Sequence, residues 1–410
     1  MAQDRTPSTW IWPAAAVAIC ALLTAVMRVS FDSFAVFLLP LADDFGWDRA
    51  ETAGIYGCMM LFFGIGCPIA GRMMDRFGPR WTYVIGAMII AAAFQWTATA
   101  DALWQFYLSV GVAVGLGGAL IGVVSHATLL ARWFRANLTI AIATAAAASG
   151  VGMLVFAPLL QLLIQGEGWR AAYAALSLTS AILAAVLLVL PWRRLSGPVA
   201  PLEVKSASRV VPRPSADTAI SPYRHIGFWA LFGIQFLTAF GMFALNPQIV
   251  AFLIEQGFKP LAAAGAFGAT GLAGTIGLIV FAWLADRRGR GLAMTISYSM
   301  TMIGFSLLLA IMALPVWWLV GMFVVIYGPT FGSRGPIVNA LVPRLFGRGP
   351  GLGLIMGSVH LGMGAGAALG ATLGGYLHDV SGYETVIVVA IAANAAALAL
   401  YWSVGAIRRA

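Results

Sequence analysis

The chain has 410 residues, of which 61% are apolar and only 10% charged, and its mean hydropathy is +0.90. A soluble domain carries about 25% charged residues; a water-soluble fold of this length could not hide so much apolar surface, whereas a bilayer demands it. The formal net charge of +9 is accounted for by its placement along the chain, set out below, so no nucleic-acid partner is implied.

An apolar helix needs about 20 residues to cross the hydrocarbon core. On that criterion the chain predicts twelve spans, at residues 10–41, 50–72, 81–100, 103–131, 137–165, 170–191, 225–254, 261–285, 292–313, 316–341, 350–377 and 384–405. The first ten residues lack the basic start, short apolar core and small-residue cleavage site of a signal peptide, so the first span is expected to remain in the protein. Residues 192–224 form the one long hydrophilic stretch, rich in Pro, Ser and basic side chains. They are expected to be a cytoplasmic linker between an N-terminal six-helix bundle (1–191) and a C-terminal one (225–410). The expected fold class is therefore an all-α membrane protein of two pseudo-symmetric six-helix bundles.

Lys and Arg concentrate on the cytoplasmic side of membrane proteins. With the N-terminus inside, Arg72, Arg76, Arg80, Arg132, Arg135, Arg193, Arg194, Lys205, Arg209, Arg213, Arg224, Arg287, Arg288, Arg290, Arg344, Arg348, Arg408 and Arg409 all fall inside; Arg49, Arg170 and Lys259 fall outside, with most of the acids. Both termini are expected in the cytoplasm and the protein in the inner membrane. Cys20, Cys58 and Cys67 lie in apolar stretches without CxxC spacing or clustered histidines, so no metal site, cofactor or disulfide framework is signalled. The glycines at 362, 366, 370 and 374 recur every four residues, a pattern for close helix packing.

The two halves share an element. Gly71-Arg72-Met73-Met74-Asp75-Arg76-Phe77-Gly78-Pro79-Arg80 follows the second span, and Ala282-Trp283-Leu284-Ala285-Asp286-Arg287-Arg288-Gly289-Arg290 follows the eighth. This pair resembles the cytoplasmic motif GxxxDRxGR/K of the major facilitator superfamily, found between the second and third helices of each half. The resemblance implies two bundles that rock around a central site to give alternating access. It also implies that Gly71, Asp75, Arg76, Arg80, Asp286, Arg287 and Arg290 act in gating rather than as substrate ligands. Ser30 through Leu41 with Phe45 to Ala50, Arg132-Trp133-Phe134, Gly168-Trp169-Arg170, Gly332-Ser333-Arg334-Gly335-Pro336 and Gly374 to Asp379 resemble the bacterial branch related to monocarboxylate porters. The chain departs from that group at Leu138, Thr139 and Ala143, and its eighth helix lacks the embedded arginine of well-known members.

Ionisable residues inside spans are costly and mark function by default. Arg28 and Asp32 lie one turn apart on helix one, Arg334 is in helix ten, His126 in helix four and His360 in helix eleven. In the superfamily that the motifs resemble, helices one, four, seven and ten line the central cavity. Arg28 and Arg334, one from each half, are expected to clamp a carboxylate, which suits the guanidinium fork; the competing explanation is packing, with Arg28 paired to Asp32 and Arg334 serving a helix break. Asp32 is expected to hold Arg28 in the empty carrier and release it on protonation, coupling protons to anion movement. A permanent ion pair explains the same spacing. Asn246 and Gln248, flanking Pro247 at a helix break, together with Tyr327 and His126, complete the candidate substrate contacts.

The expected function is secondary transport of a small organic anion, a mono- or dicarboxylate, coupled to protons, by a monomer embedded in lipid. An exporter of amphipathic compounds on the same fold is the alternative, disfavoured because helix five holds only fragments of the exporter motif GxxxGPxxGG, around Gly150 and Pro158. An enzyme or sensor would need a polar catalytic cluster or an output domain, and neither is evident.

Overall fold

A computed structural model describes residues 11–134, 138–196, 222–346 and 352–405. Residues 197–221, most of the predicted linker, lie outside the described residues, as do both termini (1–10 and 406–410) and Arg135 and Arg348 of the charge pattern. All regular structure among the described residues is helical. In hydrocarbon no water satisfies an exposed N–H or C=O, so a chain this apolar must close its backbone bonds within each segment.

Helices α1 (Ile11–Asp32) and α2 (Phe34–Phe45) form one long stretch interrupted at Ser33. It stops at Gly46, where φ is 66°. Helix α3 (Arg49–Ala98) begins with the Asp48 N–H donating to the Glu51 carboxylate at 3.2 Å, a capping arrangement that satisfies an otherwise orphaned donor. Next come α4 (Leu103–Phe106), a π-helical turn (Tyr107–Val114), α5 (Gly115–Leu120) and α6 (Val123–Ala131). The first half closes with α7 (Leu138–Val189) and the short α8 (Trp192–Leu195). The second half holds α9 (Ile226–Phe243), a 3-10 turn (Asn246–Gln248), α10 (Ile249–Glu255), α11 (Pro260–Arg288) and α12 (Arg290–Ala313). It ends with α13 (Trp317–Tyr327), a 3-10 turn (Gly328–Thr330), α14 (Arg334–Phe346) and α15 (Leu352–Ser403).

Helices α3, α7 and α15 run 50, 52 and 52 residues. Straight helices of that length would measure about 75 Å, far beyond a hydrocarbon core of about 30 Å. Each instead turns at one glycine with extended ψ: Gly78 (φ 75°), Gly168 (φ 85°) and Gly382 (φ 75°). A side chain would be strained at positive φ, and glycine is not. Helical stretches long and apolar enough to cross a membrane number eight among the described residues. Two predicted spans are interrupted. The 103–131 stretch breaks at Ile121–Gly122, and the 316–341 stretch at 328–333, where Pro329 lacks an amide donor and Gly332 has φ 80°.

The outer surface is apolar, as lipid contact requires. Leu22, Ile65, Val155, Ile182, Ile276, Ile303, Val325 and Val388 are exposed along it. Exposed tryptophans gather near helix ends: Trp81, Trp229, Trp283 and Trp402 at one, and Trp96, Trp104, Trp317 and Trp318 at the other. Their amphipathic rings suit the two membrane interfaces. The first group shares its end with the repeated motif, hereafter the motif end. Arg80 ties that end together by donating to the Leu188 carbonyl at 3.1 Å.

The cores of the two halves merge at their seam. The cluster around Phe31, Phe34, Phe37 and Tyr173 takes in Ala239, Ala251, Ala367 and Ala371, and the cluster around Phe252, Phe267 and Phe323 takes in Ala35, Val36, Met153 and Ala157. Small residues bring the backbones close. A methyl on Gly57 of α3 would sit 2.6 Å from the Ala368 carbonyl oxygen of α15, and one on Gly268 of α11 would sit 2.8 Å from Leu154 Cα of α7. Such approach is how membrane helices gain dispersion energy without a hydrophobic drive.

Candidate substrate cavity

Charged side chains join the halves at the end opposite the motif. Arg49, at the start of α3, pairs with Glu255 at the end of α10. The Ala50 N–H donates to Asp379 Oδ2 of α15 at 3.1 Å. His378 lies between the acids, with Nε2 3.6 Å from Glu255 and Nδ1 3.2 Å from Asp379. This clasp links α3, α10 and α15 across the seam. Tight glycine contacts continue from it through Gly54 and Gly57 and have loosened by Gly64, where an added methyl would sit 4.0 Å from Gly364 Cα.

Beyond those contacts, toward the motif end, the seam holds a cavity of about 200 Å³. Thr24 and Arg28 of α1 and Ala146, Ser149 and Met153 of α7 form one wall. Gly271, Thr275 and Leu278 of α11 form the other, with Phe331 and Gly332 from the break before α14. The lining is apolar apart from three hydroxyls and one cation. That cation is Arg28.

Arg28 spans the two halves. Its guanidinium lies 5.2 Å from the centre of the Phe331 ring, close enough for a cation–π contact. Its Nη2 lies 2.8 Å from Asp32 Oδ2, one turn along α1, and the arginine side chain keeps 23% exposure while that of Asp32 keeps 2%. The arginine thus faces the cavity and the carboxyl sits behind it, beside a smaller void lined by Val29, Ser33, Met153, Phe156, Ala157 and Leu160.

Arg334 is placed differently. It is 3% exposed and its guanidinium is held inside the second half. Nε donates to Ser297 Oγ and Nη2 to the Ser297 carbonyl, each at 3.1 Å, and Nη1 donates to Asn394 Oδ1 at 3.1 Å. Nη2 also reaches Thr301 Oγ1, and the group stacks 4.1 Å over the Tyr298 ring. It is not among the residues lining the cavity, so the two arginines expected to clamp one anion do not converge there. Gly332 turns the chain just before α14, which sets the face that Arg334 presents.

Asn246, Gln248 and Tyr327 are all buried at the seam. Gln248 Nε2 donates to the Ala244 carbonyl at 3.0 Å. His126 is 4% exposed and its Nδ1 lies 3.1 Å from the Tyr83 hydroxyl, inside the first half and away from the cavity. Of the four helices expected to line the cavity, one and ten contribute through α1 and the segment before α14, four and seven do not, and α7 and α11 supply the remainder. In the repeated motif Asp75, Arg76, Asp286 and Arg287 are exposed, Gly71 and Arg290 are half-buried, and Arg76, Arg80 and Arg287 stack over Phe77, Trp81 and Trp283. Among the described residues no group of three His, Cys, Asp or Glu converges to hold a metal ion.

Sequence reasoning missed Thr24, Ser149, Thr275, Phe331 and the buried Tyr56. Thr24 alone carried a signal, sitting one turn before Arg28 on the same face.

Residues 19–351 match the Major Facilitator Superfamily. The chain belongs to that superfamily and is a multi-pass membrane transporter of all-helical fold, not an enzyme. It is similar to monocarboxylate transporter 13 of Bos taurus, 30% identical over 374 residues that cover 90% of this chain and 83% of the relative. An uncharacterised MFS-type transporter, YcxA, of Bacillus subtilis (strain 168) is 25% identical over 376 residues, covering 88% and 87%. These relatives agree with the resemblance to monocarboxylate porters drawn from the motifs. In three dimensions the chain is similar to a bacterial homolog of the human lysosomal transporter Spinster, in an inward-facing and occupied conformation, with a TM-score of 0.71, 15% identity and 97% of each chain covered. At that identity the likeness concerns the fold alone.

Proposed function

We propose that this transporter carries a small organic anion, a mono- or dicarboxylate, across the inner membrane in symport with protons. The observation that carries the proposal is Arg28, the one cation lining the seam cavity among the described residues, held over Phe331 with Asp32 behind it. An arginine stays charged when desolvated and offers a planar fork to a carboxylate. Asp32 competes with the solute for that fork; a proton on Asp32 frees Arg28 and travels with the anion. Relatives named monocarboxylate transporters support the substrate class. Arg334, saturated by neutral partners, serves in this scheme to fix α14 against α9, α12 and α15.

Bending α3, α7 and α15 at Gly78, Gly168 and Gly382 turns the eight long stretches, with the α13–α14 pair, into twelve crossings. They form two six-helix bundles, residues 1–191 and 225–410, joined by the 192–224 linker, with both termini cytoplasmic. The motif end is then cytoplasmic, the clasp is the outer gate, and the cavity opens inward in a monomer.

The test is uptake of labelled carboxylates into proteoliposomes, with and without an inward proton gradient. Saturable, gradient-dependent uptake, abolished by Arg28→Gln and uncoupled from the gradient by Asp32→Asn, is expected. A folded carrier that moves no organic anion overturns the proposal.

A further inference from the structure

Between the cavity and the clasp, the seam holds buried polar side chains that the transport scheme above does not use. Tyr56 comes from α3, seven residues or about 10 Å inside the clasp residue Arg49. Asn246 and Gln248 come from the turn between α9 and α10, and Tyr327 ends α13. Tyr56 is 1% exposed, Asn246 2%, and Gln248 and Tyr327 0%. Yet Tyr56 Oη, Asn246 Nδ2, Gln248 Oε1 and Tyr327 Oη find no hydrogen-bond partner among the described residues.

Three of them are neighbours: Tyr56, Asn246 and Tyr327. The Tyr56 hydroxyl is within electrostatic reach of Asp32 and Arg28 in its own half and of Asn246 and Tyr327 in the other, Asn246 lying against it without hydrogen-bond geometry. The Tyr56 ring is anchored between Phe34, with centroids 5.9 Å apart, and Phe243 across the seam at 5.8 Å. Its position is therefore fixed by packing on both sides.

A buried polar atom without a partner is costly, and three in one place are hard to explain by packing, since phenylalanine or leucine would fill the same space. A solute passing between the cavity and the clasp end must cross this level. Donors from Tyr56, Asn246 and Tyr327 would meet a polar group on the solute other than the carboxylate that Arg28 takes.

We propose that Tyr56 is a further substrate-contacting residue, whose hydroxyl acts with Asn246 across the seam on a second, uncharged polar group of the carried anion. This rests on the anion proposal above and adds a specificity rule to it. A site built to hydrogen-bond a substituent discriminates strongly against the analogue that lacks it, so the carrier prefers acids bearing an oxygen substituent to unsubstituted acids of equal length.

The test is transport by the whole carrier in proteoliposomes, using two acids of equal chain length that differ only in a hydroxyl or oxo group. Tyr56→Phe keeps the ring packed on Phe34 and Phe243 and removes one oxygen. The expected result is a KM raised at least ~10-fold for the substituted acid, with its kcat and both constants of the unsubstituted acid unchanged. If Tyr56→Phe does not assemble, Asn246→Ala removes the partner across the seam and is expected to show the same selective loss. Equal change for both acids, or none, overturns the role of Tyr56 while leaving the anion carrier standing. A folded wild-type carrier that transports neither acid overturns both.

Discussion

Replacing Arg28 by Gln removes the one cation that lies 2.8 Å from the buried Asp32 carboxylate. Two unit charges at that separation attract by about 6 kcal/mol at an effective dielectric of about 20. Arg28 keeps 23% side-chain exposure to the cavity, and screening there brings the penalty toward the ~3–5 kcal/mol typical of breaking a buried pair from one side. Asp32→Asn leaves a more exposed and better solvated arginine, so it costs less. The double substitution leaves two neutral amides one turn apart, and its cost falls well below the sum. A double-mutant cycle measured by unfolding in mixed micelles is therefore expected to give a coupling energy of at least ~2 kcal/mol. A coupling under ~0.5 kcal/mol would refute the pairing as an energetic unit, and with it the idea that a solute anion must displace Asp32 to reach Arg28.

Other consequences can be checked separately. Arg334→Ala leaves Ser297, Thr301 and Asn394 without their charged donor, so a stability loss of about 3 kcal/mol with little change in KM is expected from unfolding and uptake measured side by side. Arg49→Ala and Glu255→Ala each loosen the clasp; a membrane-impermeant thiol reagent added from the clasp side should then label Tyr56→Cys faster, and exchanging the two charges should restore protection. Gly57→Leu drives a side chain into the Ala368 carbonyl. It should abolish uptake while the protein still elutes as one folded species, because in the proposed alternating-access scheme the contact it blocks forms in one of the two states.

The apolar stretches, the charge pattern and the repeated motif made the helical membrane fold and its family legible from sequence, since each is a property of many residues at once. The Arg28–Asp32 pair was legible because both lie on one uninterrupted helix, where a spacing of four fixes the geometry. Arg334 and His126 were not. Each follows a helix break, at Gly332 and Gly122, and periodicity cannot carry a face across a break. The α7 and α11 walls were hidden for another reason: their polar contribution is Ser149 and Thr275, single hydroxyls among alanines and glycines that look like packing residues. Tyr56 was hidden because a tyrosine in an apolar run is ordinarily core, and only an unpartnered hydroxyl sets it apart.

Arg334 sits in the second half with neutral oxygens, a sulfur and a ring around it, and no carboxylate pairs with it among the described residues. Its charge is therefore dressed but not cancelled. At a separation on the order of 10 Å and a dielectric of about 20, one such charge shifts the energy of a monovalent ion by roughly 1.7 kcal/mol, more than a tenfold bias in occupancy. The shift favours anions and opposes sodium and potassium ions equally. On the proposed scheme, a residue outside the cavity lining thus biases the seam toward anions and against a metal cation as coupling ion.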